Sequence, residues 1–576
     1  MAETLISPGV LALENDNSFV SSQPITVGAA IIGPTVKGPV NVPTVVTSYS
    51  DYQNKFGTTF LSASQVYSYF TSITAYNYFN NGGQTLLVTR VVTGSFTEAT
   101  TATGSGTPIL ASGSVEALIL KTISEGEIMN NTGSMDASGS LISGSANNVR
   151  YQIANRDTSS GTFSLLIRQG DDNTNNPIVL ETWTNLSMDP TAPNYVSRVV
   201  GDQYRQYNTV DNQIEVIGTY PNNSRYVYVS SVLTPTPLYF DNTGLPKAQY
   251  TSSIPLNGSG SFGAATGALF VGPADYYNAI DSATTAPQGI SASAYTDMIR
   301  LMGNADDYRY NVLLTPGLCA STANLGSSQI TTAINNTQNR GDAIYVTDLV
   351  PFSSSISEVT TQANAKNTSY AAAYWPWLQT IDPDSAQLVW VPASTLIGGV
   401  YAYNDNVSEP WFAPAGINRG GLSTVVRAEK KLSQANRDTL YTNKVNPIAT
   451  FPGTGVVVYG QKTLQTRASA LDRVNVRRLL IQLKSYISQV AQNLVFEQNT
   501  IATRNQFLSQ VNPYLESVQQ RQGLYAFKVI MDDSNNTADV IDRNQMIGQI
   551  YIQPTKTAEF IYLDFNILPT GATFPA

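Results

Sequence analysis

The chain has 576 residues and is acidic, with 32 Lys+Arg against 41 Asp+Glu, yet only 13% of it is charged, about half the usual ~25%. It contains no His and a single Cys, Cys319. These counts exclude imidazole-based general bases and metal sites, Ser–His and Cys–His nucleophile systems, internal disulfides, Cys-rich zinc sites and iron–sulfur clusters. The length prior allows about three or four domains, and 42% apolar content can fill them.

Met1-Ala2-Glu3-Thr4 places an acid where a signal peptide needs basic residues, and no run of 18 apolar residues occurs. The expectation is a soluble chain made in a cytoplasm. Leu5, Ile6, Val10, Leu11 and Leu13 form a short apolar stretch broken by Pro8-Gly9, too short to hold a compact element alone. Ile25 to Ile32 reads as a strand ended by Gly33-Pro34. Val66, Tyr69, Phe70, Ile73 and Tyr76 keep helical spacing up to the stop at Asn80-Asn81-Gly82-Gly83. Thr85 to Val92 reads as a buried strand.

Residues 93–114 hold 6 Thr, 4 Ser and 4 Gly, the composition of a boundary or a loop-rich entry to an insertion. From there to about residue 290, short β runs such as Phe163–Arg168, Ile178–Thr182 and Arg225–Val229 alternate with turns, predicting one or two β-rich inserted domains. From 295 to 400 helices alternate with apolar strands, among them Tyr310–Leu314 ending at Pro316-Gly317, and Ala343–Val346, as in an α/β unit. Leu471 to Phe496 predicts a long amphipathic helix with Val476, Leu479, Leu480, Leu483, Ile487, Val490 and Leu494 on one stripe. Arg473, Arg477 and Lys484 follow its flank. A second helix is predicted over Ile501 to Val511, with Pro513 stopping or kinking it. Strands are expected at Ala526–Met531 and Ile547–Gln553. A last one alternates Ile561, Leu563, Phe565 and Ile567 with polar or aromatic residues.

Between Arg419 and Lys484 there are 12 basic and 3 acidic residues; this net of +9, against −9 for the whole, leaves −18 elsewhere. A solvated helix face, a nucleic-acid surface and a docking ridge for an acidic protein are the three readings, and the segment's few aromatics and the acidic balance of the whole chain argue against nucleic acid. Gly455–Thr463 looks like a phosphate loop but has Gln461 between Gly and Lys and an apolar lead-in. The carboxylate pairs Asp171-Asp172, Asp306-Asp307 and Asp532-Asp533 read as solvated turns rather than catalytic dyads or calcium ligands. Cys319 reads as a small buried residue. No cofactor or metal is expected.

Several stretches, in order, carry a family resemblance: Ile6-Ser7-Pro8-Gly9-Val10; Gly33 through Lys37-Gly38-Pro39 and Pro43; Phe56-Gly57; Phe79 to Gly83; Tyr374-Trp375-Pro376-Trp377; Val391 to Ser394; Gly399 to Ala402; and Trp411 through Gly416. Val445 to Ile448, Arg467, Val476 to Leu479, Phe496-Glu497, Gln553-Pro554 and Ala558 to Ile561 continue it. Over residues 1–92 and 300–567 the chain resembles the contractile tail sheath proteins of myovirus-type bacteriophages and related phage-tail-like particles; 93–290 matches nothing in that pattern.

The resemblance implies an α+β multidomain fold. A conserved α/β inner domain would be formed by the N- and C-terminal regions, with β-rich inserted outer domains and extended terminal arms. The expected division is 1–20 N-terminal arm, 21–92 first part of the core, 93–290 insertion, 291–400 α/β sheath domain, 401–555 inner tube-facing domain and 556–576 C-terminal arm. The implied function is structural and not enzymatic: a virion subunit, assembled in the host cytoplasm, that polymerises with itself as stacked hexameric rings. It would surround the tail tube protein, meet baseplate and tail terminator proteins, and contract to drive the tube through the host envelope. No nucleic acid or membrane insertion is implied.

Leu5, Ile6, Val10, Leu11, Leu13, Ile561, Leu563, Phe565 and Ile567 are the expected inter-subunit arm residues; Arg473, Arg477 and Lys484 are the tube-facing candidates. Burying the four apolar residues of the last strand contributes roughly 6–12 kcal/mol. Ordering its backbone costs roughly 8–16 kcal/mol, so one arm holds weakly and several together hold by avidity. Two other readings stand beside this one: a β-rich tail fibre or adhesin, against which the absence of a fixed repeat weighs, and a carbohydrate-active enzyme in 93–290.

Overall fold

The computed structural model describes residues 25–62, 64–131, 135–137, 139–269, 288–320 and 325–560. Its organising element is an eight-stranded sheet. In chain order the elements that build and cover it are β1 (Ile25–Gly33), β2 (Thr44–Val46), α1 (Phe70–Asn80), β3 (Leu86–Arg90), α2 (Tyr295–Leu301), β4 (Tyr308–Cys319), α3 (Leu325–Arg340), β5 (Ile344–Asp348), β6 (Ala371–Trp375), α4 (Ser394–Val407), β7 (Asn446–Phe451) and β8 (Gly455–Val458). The order across the sheet is β2-β3-β1-β4-β5-β6-β7-β8; β3 through β7 run parallel and the two edge strands antiparallel.

The apolar alternation of the strands explains why both faces are covered. Ile31, Val88, Leu314, Val346 and Tyr374 point to one face, under α1 and α4. Ile32, Leu87, Leu313, Tyr345 and Trp375 point to the other, under α2 and α3. Residues 99–265 build a separate core around Tyr151, Leu165, Val229 and Phe262. Its antiparallel sheets join Val179–Ser187, Thr162–Gln169, Val149–Asp157 and Gly258–Ser261 in one, and Val227–Val232, Glu116–Glu125 and Glu98–Thr100 in the other. The buried Arg90 guanidinium ties this unit to the sheet, donating to the carbonyls of Gly38 at 2.7 Å and Glu125 at 2.8 Å.

A third core belongs to α5 (Val474–Gln492), α6 (Ile501–Gln520), β9 (Leu524–Ile530) and β10 (Gln549–Pro554), which enclose Leu479, Leu483, Phe507, Val511, Leu515 and Val518 together with Trp411. The boundary expected at 401 is therefore displaced: α4 runs across that position, and β7 and β8 complete the large sheet. The N-terminal strands likewise pair with residues 308–319, not with the C-terminal unit.

Three local expectations are corrected. Val66 lies in a short strand, Gln65–Tyr67, and the helix begins only at Phe70. The strand from Tyr308 passes through Pro316-Gly317, because Gly317 takes φ +87° and its N–H is satisfied by Asp348 Oδ2 at 3.1 Å. Pro513 neither stops nor ends α6. It sits on the exposed face, as does Ser509, while Phe507, Val511, Leu515 and Val518 keep the buried stripe unbroken.

Asp348, at the C-terminal end of β5, is 4% exposed and accepts from Ser394 Oγ at 2.5 Å and the Ser394 and Gly317 amides at 3.1 Å. Burial raises its pKa to about 6 despite these donors. The unfolded value is near ~3.9, so between the two the folded state holds more protons and stability falls as pH rises. Urea unfolding of Asp348→Asn from pH 4 to 7 should lack this component of the slope; a slope identical to wild type would contradict it.

Candidate assembly interface

The basic segment 419–484 is largely consumed inside the chain. Eight of its 12 cations lie over aromatic rings: Arg419 on Phe412, Arg427 on Trp390, Lys430 on Trp375, Arg437 on Phe451, Lys462 and Arg473 on Tyr441, Arg477 on Tyr370 and Arg478 on Tyr401. Such contacts hold a cation at about 0.5–2 kcal/mol each without needing a carboxylate, of which this segment has only 3. The signal was divided in the sequence, since Tyr370, Trp375, Trp390, Tyr401 and Phe412 stand outside the basic run. Lys462 also donates to the Tyr441 carbonyl at 2.8 Å, so it is held away from any phosphate-loop role.

The three candidate cations of α5 separate. Arg473 precedes the helix and grips Glu559 with both ends of its guanidinium, Nε–Oε1 at 2.7 Å and Nη2–Oε2 at 3.0 Å. Arg477 is 4% exposed, stacked 4.0 Å from the Tyr370 ring centroid and bonded to Ser369. Lys484 alone is exposed, its Nζ 3.4 Å from the Tyr370 hydroxyl. The expected continuous ridge is thus one exposed ammonium and two internally engaged guanidinium groups.

Glu559 is a clasp. Besides Arg473 it accepts from Tyr441 Oη at 2.8 Å and Gln461 Nε2 at 3.1 Å, while Gln461 Nε2 also reaches Thr557 Oγ1 at 2.6 Å. Burial would raise its pKa, but the Arg473 and Tyr441 hydrogen bonds outweigh burial and hold it below the ordinary value. Residues 556–560 are therefore strapped across the start of α5, and Phe560 at their end is 69% exposed.

Before the strap lies the ribbon β9–β10. Phe527 faces Ile552 and Val529 faces Ile550 across it, both pairs packed on α5 and α6. Tyr525 and Tyr551 are 64% and 56% exposed. Among the described residues no other strand pairs with either edge. Two strands alone are marginal in water, and open edges are templates for further strands. Leu5, Ile6, Val10, Leu11, Leu13, Ile561, Leu563, Phe565 and Ile567 lie outside the described residues.

The carboxylate pairs differ in environment. Asp306, Asp307, Asp532 and Asp533 are exposed, but Asp172 is fully buried. It pairs with Arg168 at 2.6 Å and Arg150 at 3.3 Å, a correction to its reading as a solvated turn. Its fixed ionic partners make it a structural group. Cys319 is buried with Sγ against the Val350 carbonyl at 3.3 Å. Among the described residues no three acidic, Cys or His groups are placed to hold a metal, and no helix is long and apolar enough to cross a membrane.

Residues 288–464 match the phage tail sheath protein central domain, and residues 466–568 match the phage tail sheath C-terminal domain. The chain is 42% identical over 208 residues to the tail sheath protein of Vibrio phage KVP40, covering 36% of this chain and 31% of that one. It is 40% identical over 185 residues to the tail sheath protein of Enterobacteria phage T4, covering 32% and 28%. The matched part thus spans about a third of each of these relatives. The fold is similar to the crystal structure of the sheath tail protein from Listeria innocua, with a TM-score of 0.51 at 10% identity over 92% of this chain and 96% of that one.

Glu559→Gln should cost about 1–3 kcal/mol at neutral pH, the worth of charge-assisted hydrogen bonds. Because the folded pKa is depressed, this difference should vanish as pH falls through it. Urea unfolding at pH 7 and below pH 4 measures both; an equal loss at the two pH values would refute the ionic clasp.

Proposed function

We propose, from the match of residues 288–464 and 466–568 to the phage tail sheath central and C-terminal domains, that the chain is a structural subunit of a contractile tail sheath. Copies assemble into stacked hexameric rings around a tail tube, and the sheath shortens to drive the tube through a host envelope. The observation that carries this reading is the β9–β10 ribbon, both of whose edges are unpaired among the described residues. Each edge accepts a terminal segment of another copy as an added strand, residues 1–20 or 556–576, whose apolar residues Leu5, Ile6, Val10, Leu11 and Leu13, or Ile561, Leu563, Phe565 and Ile567, fill the exchange. The Arg473–Glu559 clasp fixes the point from which the C-terminal arm departs.

In this reading the unit 474–554 lies innermost and the 99–265 unit projects outward. Lys484 is the residue of the three still free to meet an acidic tube surface, in a rim-like contact that salt weakens and contraction can break. Rigid units rotate past one another while the exchanged strands act as hinges, and the free energy released was stored at assembly rather than drawn from a nucleotide. Tube protein, baseplate and terminator proteins are the remaining partners, and the virion is its destination after assembly in the host cytoplasm.

Chains lacking residues 1–20 or 561–576 should keep the thermal melt of the full chain and remain single. Negative-stain microscopy should show hollow tubes from the full chain alone. Tubes formed by either truncated chain would remove the arms from the account.

A further inference from the structure

Beside the interface lies a cavity of about 570 Å³ whose wall carries no carboxylate. Gln338, Thr368, Ser369, Tyr370, Gln465 and Arg467 line it with donors. Arg477, 4% exposed, lies against the far side of Tyr370 and bonds Ser369, with its buried Nε unpartnered. Lys484 touches the Tyr370 hydroxyl from the outside. Lys444, 7% exposed, donates to the Lys366 carbonyl at 2.9 Å and to Thr466 at 3.1 Å, and Lys366 is itself 8% exposed. None of these five cations pairs with a carboxylate among the described residues. Burial lowers the pKa values of Lys366, Lys444 and Arg477 with no acid to offset it. The carboxylates next in sequence are taken, Asp342 by Arg340 and Asp472 by Arg473. The socket's chemistry asks for an anion.

The sheet topology brings a source of one to its rim. β1, β4, β5 and β6 are parallel neighbours, so the chain enters β1 at the same sheet edge from which Tyr370 leads into β6. The register sets Ala30 level with Leu313, Tyr345 and Ala371. Ile25 is then three strand spacings to the side and five residues below Ala371, a distance of about 22 Å. The segment ahead of it, residues 1–24, contains Glu3, Glu14 and Asp16 and no Lys or Arg. From Asp16 to Ile25 the chain can extend about 30 Å.

We propose that this socket is a carboxylate-binding site for the chain's own N-terminal segment, with Glu14 and Asp16 as the ligands of Arg467 and Lys484. A tether this short gives the segment an effective concentration in the millimolar range, above that of any second copy while chains are dilute. The docking stands independently of the sheath reading; its consequence rests on it. A parked segment is withheld from neighbouring copies and covers Lys484, so a single chain is restrained from polymerising until the segment is drawn out.

Protease access tests this on the full chain, at concentrations where sedimentation shows single molecules. Arg467 and Lys484 are exposed, so the R467E/K484E variant keeps the wild-type melt. At low salt, chymotrypsin should cut after Phe19 about tenfold faster in R467E/K484E and in E14K/D16K than in wild type, since cleavage follows the undocked population. Combining all four reversals should restore the slow rate, which general loosening of the fold would not. Equal rates in the four proteins would overturn the site. Protection that rises with chain concentration would assign the segment to a second copy, overturning docking within one chain while leaving the assembly reading intact.

Discussion

A two-stranded ribbon cannot satisfy its own outward N–H and C=O groups, and it buries too little to stand alone. β9–β10 solves half of that problem by laying Phe527, Val529, Ile550 and Ile552 on α5 and α6. The other half is its two edges, which no further strand pairs with among the described residues. Around it the construction is stiff. A parallel sheet covered on both faces and a helical pair clamped through Trp411, whose Nε1 donates to the Arg521 carbonyl at 3.0 Å, give the ribbon a rigid mount. In the proposed sheath, such mounts would let the bodies move as units while exchanged strands carry the load.

Charge is arranged to the same end. A chain with a net charge of −9 would repel its copies at long range, yet it concentrates its cations in one stretch. Most of those cations are then held against aromatic faces. Arg478 shows the economy, lying 4.7 Å from the Tyr401 ring centroid while also binding Asp405 across the junction of two cores. Aromatic partners hold a guanidinium without cancelling its charge, so the region stays positive. The few cations left exposed, Lys484 and Arg467 among them, therefore act in a positive field, where a carboxylate from another segment is attracted.

How much of this was legible in the sequence follows from how local each signal was. The strands Ile25–Gly33 and Leu86–Arg90 and the C-terminal ribbon were plain, because apolar runs bounded by Gly and Pro need no distant partner to be read. Helix α6 was read too short because Pro513 carries a strong local meaning, and only the packing shows that it faces solvent. Pro316-Gly317 misled for the same reason, since the amide that a turn would satisfy is satisfied by Asp348, 31 residues away. The candidate ridge failed on partners that sequence cannot pair: Tyr370 is 107 residues from Arg477, and Glu559 is 86 from Arg473. The domain edge at 401 was misplaced because β7 and β8 return to a sheet begun some 400 residues earlier.

Amide hydrogen exchange across β9 and β10 tests the central claim most directly, comparing dilute single chains with assembled tubes. The outward-facing amides of both strands should exchange fast in the single chain and slow by two or more orders of magnitude on assembly, as added strands take up their hydrogen bonds. Tubes in which those amides exchange at the single-chain rate would show that the copies are joined by some other surface, and the account would fail.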